Sequence, residues 1–222
     1  MPEKEAFDID RAVSLLQNVV ESFPKAALFD LYDQGYTSLF EQLVACMISI
    51  RTYDEVTVPT SIQLFKKART PKAMVNLSVE EIDTAIQAST FHEGKAKQIL
   101  NIAKKITAEY EGELLCDFNT LLSFSGVGPK CANLALGIAC QQMRVGVDIH
   151  VHRVSNRWGY VQTKTPEKTM MALEEILPEQ YRVEINRLLV PFGKHVCKGT
   201  APLCSRCPLE SMCQQVGVGS HR

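Results

Sequence analysis

Apolar residues recur at three- and four-residue spacing along most of the chain, in Ala12–Val20, Leu39–Ile50, Val56–Phe65, Ile82–Ala88, Ala96–Ile106, Cys131–Met143 and Leu173–Leu177. That period marks one face of an α-helix, and no strand-like alternation of useful length competes with it. Helix starts are legible as well. Asp8 and Asp10 precede the first segment, Ser78 stands before Val79-Glu80-Glu81 as a capping box, and Thr70-Pro71 and Thr165-Pro166 open two more. An all-α protein is expected. At 222 residues, 45% of them hydrophobic, it can bury one large core or two small ones. No linker rich in Gly, Pro or Ser divides it, so any lobes are separated by packing. Val216 to Arg222 is weakly patterned and expected to be a loose tail.

No apolar run approaches the roughly eighteen residues of a membrane span. The start, Met-Pro-Glu-Lys-Glu-Ala-Phe-Asp, lacks the basic and apolar regions of a signal peptide. The expectation is an intracellular, soluble protein with no membrane partner, cytoplasmic if bacterial. Cytosolic thiols seldom pair, so its eight cysteines need another explanation. Cys46, Cys116, Cys131 and Cys140 lie in apolar or mixed surroundings and read as packing residues, because free cysteine behaves as a small hydrophobe.

Cys197, Cys204, Cys207 and Cys213 instead crowd into seventeen residues as C-x6-C-x2-C-x5-C. Soft sulfur donors select zinc, copper(I) or an iron–sulfur cluster. Zinc sites usually show two short pairs. Only one pair here is short, and the wider gaps suit an iron–sulfur cubane better, with zinc as the alternative. Lys198 and Arg206 lie between these cysteines, and Lys194 and His195 just before them. They either offset thiolate charge or meet phosphate at fixed positions.

The net charge of −1 does not advertise a nucleic-acid partner, but its distribution is uneven. Residues 1–41 carry eight acids and three bases, residues 182–222 six bases and two acids. A local anion-binding face is therefore compatible with the composition. Leu121 to Ala135 reads as helix, tight turn, helix, with Gly126 and Gly128 in the turn and Pro129 at the next helix's first position. The amides of Gly126, Val127 and Gly128 at that helix start would form a site for a phosphate oxygen. Lys130 follows in the first turn, where the helix dipole disfavours a cation. It is either a surface lysine touching phosphate or an amine tuned to attack carbon. Eighteen residues on, Asp148 lies among apolar neighbours in Val145–Val154. It is either a helix cap or a carboxylate that accepts a proton and stabilises positive charge.

These parts together resemble the endonuclease III family of the helix-hairpin-helix and Gly/Pro…Asp superfamily. The resemblance runs from about Leu39 to Cys213 and is carried by Gly126-Val127-Gly128-Pro129-Lys130, by Val147-Asp148-Ile149-His150, and by the cysteine spacing. It implies that Lys130 is a Schiff-base lysine, that Asp148 is a catalytic aspartate, and that the four clustered cysteines ligate a [4Fe–4S] cluster. It also implies two helical lobes flanking a DNA-binding cleft. Residues 32–142 would form a six-helix barrel with the hairpin, and 1–31 with 143–222 the cluster domain. The implied activity is base-excision glycosylase with abasic-site lyase, acting as a monomer on duplex DNA bearing oxidised or ring-saturated pyrimidines or abasic sites. His150, Lys194, Lys198 and Arg206 are expected DNA contacts. Ser49-Ile50-Arg51-Thr52 stands where the family tends to carry Ser-Ala-Gln-Ala or Ser-Ser-Gln-Thr in the loop filling the gap left by a flipped base. Arg51 can still wedge into the stack, and opposite-base preference is the property this replacement touches. Phe124-Ser125 replaces a common Leu-Pro, and Cys131 a common threonine.

Two other readings make different demands. A monofunctional mismatch glycosylase of the same superfamily lacks the hairpin lysine and carries a glutamate before the wedge loop, whereas Leu43–Ser49 holds no carboxylate. A non-enzymatic DNA-binding module with a redox-sensing cluster has no need of both Lys130 and Asp148.

Overall fold

The computed structural model describes residues 4–222, and among these every regular element is helical. In order the α-helices are α1 (Ile9–Val20), α2 (Ala27–Asp33), α3 (Leu39–Ser49), α4 (Asp54–Phe65), α5 (Pro71–Met74), α6 (Val79–Ile86), α7 (His92–Glu109), α8 (Phe118–Leu122), α9 (Pro129–Cys140), α10 (Ile149–Trp158), α11 (Pro166–Ile176) and α12 (Glu184–His195), with short 3₁₀ turns at Glu179–Tyr181 and Cys204–Arg206. The sequence caps form as hydrogen bonds. Asp8, Thr70 and Thr165 each accept an amide of the following first turn, and Ser78 with Glu81 closes a capping box.

The chain folds into two compact units, Ala27–Gln142 and the segment up to Ala26 joined with Met143–Arg222. A boundary at residue 32 would fall inside α2. That helix buries Ala27, Leu28, Phe29 and Leu31 and packs on α3, α4 and α9, so it belongs wholly with the first unit.

In the first unit α3 is the axis. Leu39 to Ile48 are all buried, which is the signature of a helix enclosed on every side. Its two buried polar side chains both make hydrogen bonds, though Gln42 Oε1 has none among the described residues. Gln42 Nε2 donates to the carbonyls of Tyr36 (2.7 Å) and Leu28 (3.3 Å), and Glu41 accepts from Arg69 Nε at 2.5 Å. Cys46 on α3 and Cys131 on α9 are buried thiols outside any disulfide, as packing residues should be.

Cys116 and Cys140 depart from that expectation. They form a disulfide that ties the segment before α8 to the end of α9, with Cα atoms 6.2 Å apart. Gln142 Nε2 donates to the Cys116 carbonyl at 2.7 Å beside it. Local surroundings could not reveal the pair, because only the α8–α9 hairpin brings the two positions together.

The second unit buries Leu16 of α1, Val154 and Trp158 of α10, Leu173 of α11 and Leu189 and Phe192 of α12 in one cluster. Phe7 stacks on Trp158 at 5.0 Å between ring centroids. The periodicity reading did not include α12, because Pro191 and Gly193 interrupt its last turns. Both are buried there. The expected loose tail is also corrected. The Val216 amide donates to the Arg157 carbonyl (3.0 Å), the Arg222 amide to Pro202 (2.9 Å), and the Arg222 carbonyl accepts from Ser205 (3.0 Å). Backbone pairing orders this segment where side-chain pattern gave no signal. Among the described residues, no helix is long and apolar enough to cross a membrane.

Candidate active site and cluster loop

Asp117 caps α8 through the Thr120 amide at 2.7 Å, and the chain turns after Ser123. Gly126 carries the turn with φ +87°. A Cβ there would also stand 2.6 Å from Gln98 Oε1, which the flexible end of that side chain could relieve, so it is the conformation that requires glycine. Val127 is buried, and its amide donates to the Phe124 carbonyl at 3.1 Å. This corrects one expectation: Val127 anchors the turn rather than offering its amide to a ligand. Gly128 is exposed with ordinary extended backbone, and no protein atom lies within 4 Å of where its Cβ would stand. Pro129 opens α9, which then buries Cys131 to Ile138.

Lys130 is the second residue of α9, half-buried, at the positive end of the helix dipole. Hydrogen bonding to Cys46 and burial push the neighbouring Cys131 thiol well up, while the charges of Lys130 and Lys95 act against that.

Asp148, half-buried in the other unit, is the N-cap of α10. Its Oδ1 accepts the amides of His150 and Val151, both at 2.9 Å. The helix-cap reading is therefore correct. It is compatible with chemistry, since two amide bonds hold the carboxylate in one orientation. His150 Nδ1 accepts from Arg153 Nη2 at 3.1 Å, and a Cβ on Gly193 would come within 2.8 Å of that nitrogen. The ring is thus engaged inside the unit, where α10 meets α12.

Cys197, Cys204, Cys207 and Cys213 line a single pocket, bounded also by Arg157, Trp158 and Val218. Among the described residues, no three His, Cys, Asp or Glu side chains are grouped as one metal ion would need. Four soft donors around one pocket fit a larger centre. Burial pushes the Cys207 thiol up to about 12 and those of Cys204 and Cys213 upward, so ligation would release their protons. Arg157 is buried and grips the loop. It donates to the carbonyls of Cys197 (3.3 Å), Lys198 (2.5 Å) and Gly199 (2.8 Å), and lies 3.4 Å from Cys197 Sγ. Arg153 Nη2 adds bonds to Gly193 (2.9 Å) and Cys197 (3.2 Å). Lys198 and Arg206 are exposed on the loop, and Lys194 is half-buried in the last turn of α12.

The segment after α3 holds Arg51, exposed and left-handed at φ +55°. Its guanidinium lies 5.7 Å from the ring centroid of Phe91, also left-handed at φ +58° and 63% exposed. Beneath them Lys95 is buried and donates to Ile48 and Ile50. Phe91, Lys95, Arg153 and Arg157 were missed by sequence reasoning. A signal existed for two of them. Lys95 occupies the apolar stripe of Ile99, Ile102 and Ile106, and Arg157 sits between Val154 and Trp158. A cation on a buried face needs partners.

Residues 44–179 match the family model described as HhH-GPD superfamily base excision DNA repair protein. The chain is 36% identical over 200 residues to endonuclease III of Thermotoga maritima, covering 90% of this chain and 91% of the relative. It also resembles a solved non-covalent endonuclease III–DNA complex, with TM-score 0.81, 25% identity, and coverage of 93% of this chain and 94% of that one. A trapped endonuclease III–DNA covalent intermediate matches with TM-score 0.78, 26% identity, and coverage of 94% and 97%.

Proposed function

We propose that this chain, which belongs to the HhH-GPD superfamily of base excision DNA repair proteins and within it to the endonuclease III family, excises damaged bases and then nicks the strand. The observation that carries the reading is Lys130, presented in the first turn of the helix that follows Gly126-Val127-Gly128-Pro129. The damaged nucleotide leaves the stack, because its C1′ is out of reach inside the duplex. Lys130 Nζ, as the neutral amine, bonds to C1′ while the bond from C1′ to the base breaks and the base departs. Asp148 accepts the proton that the amine sheds and stabilises positive charge on the sugar. The sugar ring opens to an imine between Lys130 and C1′. Loss of a C2′ proton then breaks the C3′–O bond and nicks the strand on the 3′ side. Water releases the lysine.

Expected substrates are oxidised or ring-saturated pyrimidines and abasic sites in duplex DNA, which places the protein with the genome inside the cell. Gly128 supports phosphate contact by the hairpin, since its lack of a side chain answers no need of the protein's own packing. Gly126 shares that turn, and Lys194, Lys198 and Arg206 supply positive charge near the cysteine loop. Cys197, Cys204, Cys207 and Cys213 would hold a [4Fe–4S] cluster, which when bound fixes their loop and its basic side chains.

Mixing the protein with lesion-bearing duplex and borohydride should reduce the imine to a permanent protein–DNA adduct, lost in Lys130→Gln. A wild-type preparation that neither traps nor nicks any oxidised-base or abasic duplex would refute the proposal. The purified protein should be brown and Cys204→Ser colourless. A colourless, zinc-containing wild type would overturn the cluster assignment.

A further inference from the structure

Lys95 is a buried cation that the chemistry above does not use. It lies on the fourth residue of α7, 5% exposed, where the helix dipole gives it no support. Its ammonium reaches instead to the C-terminal end of α3. It donates to the carbonyls of Ile48 (2.7 Å) and Ile50 (2.9 Å) and to Thr52 Oγ1 (3.3 Å). These are groups that a helix end leaves without intrahelical partners, and a cation there is favoured. Thr52 Oγ1 also accepts the Thr90 amide at 3.1 Å. One lysine and one hydroxyl therefore join, beneath the Arg51–Phe91 contact, the two segments that carry these residues. Each segment carries an exposed residue in left-handed backbone, Arg51 on one and Phe91 on the other. Such conformations are costly for side-chain-bearing residues and persist only where surrounding contacts hold them.

We infer that Lys95 is a positioning residue: it locks Ser49–Thr52 against Thr90 and Phe91 and thereby presents Arg51 in one conformation to the strand opposite the lesion. The inference rests on the reading that this chain excises bases from duplex DNA. A polar tether of three bonds, buried beneath an exposed loop, sets the direction of that loop more sharply than apolar packing could. Arg51 matters only where a base faces the gap, so the lock should count in duplex DNA and much less in single strands.

The test compares two substrates with the same chemistry, an abasic site in duplex DNA and the same site in a single strand. Both are followed by borohydride trapping and by nicking. In Lys95→Met the duplex-to-single-strand ratio of kcat/KM should fall on the order of tenfold, with the loss in KM more than in kcat. Thr52→Val removes the shared hydroxyl without touching the buried charge and should shift the ratio in the same direction by less. A melting curve of each variant accompanies the rates. The inference is overturned if both variants keep the wild-type ratio, or if Lys95→Met loses activity equally on the two substrates. If wild type traps neither substrate, the reading beneath the inference has failed, and the inference with it.

Discussion

Asp148 is at once a helix cap and the proposed catalytic carboxylate, and two substitutions separate the roles. Asparagine keeps an oxygen for the amides of His150 and Val151, so Asp148→Asn should melt close to wild type and lose about 10²-fold or more in base release. Asp148→Ala should lose the same activity and in addition about 1 kcal/mol of stability. If asparagine retains full activity, Asp148 is a cap alone. Lys95 invites a different measurement. Burial lowers it from its ordinary 10.5 to about 8, with the nearby Cys131 thiol opposing the shift. A base with a lower pKa when folded is penalised wherever the unfolded chain would be charged. The penalty is fully present below 8 and is relieved as pH rises toward 10.5, because the native state releases its proton first. The stability of wild type relative to Lys95→Met should accordingly increase from pH 8 to pH 10.5 in urea melts. A difference flat across that range would contradict the burial of a charged amine.

At the scale of elements, the α8–α9 hairpin is the most exacting piece. Gly126→Ala places a Cβ at φ +87° and against Gln98, which should cost roughly 1–2 kcal/mol for the backbone alone and weaken DNA binding. Equal stability with unaltered binding would show that the turn is not the phosphate contact. Much of this element was legible in the chain. Glycines, a proline at the first helical position and cap residues are local signals, and local signals survive without a fold. Val127's amide was misread because its acceptor, the Phe124 carbonyl, is set by the shape of the turn and not by residue type. Pro191 hid α12 for the opposite reason: a helix-breaking residue near the end of a helix is tolerated when tertiary packing outweighs propensity. The Cys116–Cys140 bridge lay beyond any local argument, since its partners are 24 residues apart. A loop of that length should lend about 3 kcal/mol, so reduction or Cys116→Ser should lower the melting temperature. Unchanged melting under reductant would mean that the bond does not form in solution.

At the scale of the whole molecule, a net charge of −1 must coexist with binding to a polyanion. Association should therefore depend on a few placed cations rather than on an overall field. Each phosphate contact contributes about 0.9 to the slope of log affinity against log salt, so replacing Lys198 and Arg206 together by alanine should flatten the slope by about 2. A slope identical to wild type would remove both residues from the interface. The sequence suggested polarity of charge but not which cations reach outward. Lys198 and Arg206 do, while Arg153 and Arg157 turn inward to carbonyls.

That inward turn bears on how the protein is made. The bonds from Arg157 to residues 197–199 involve only protein atoms, and Arg157 is carried by a helix anchored through Trp158 in the core. The Cys213 thiol also donates to the Arg157 carbonyl at 3.5 Å, so two of the four proposed ligands are held by this one arginine through protein atoms alone. Loading would then be a late step on a folded scaffold, and iron withdrawn by a chelator should be replaceable without passing through the unfolded chain.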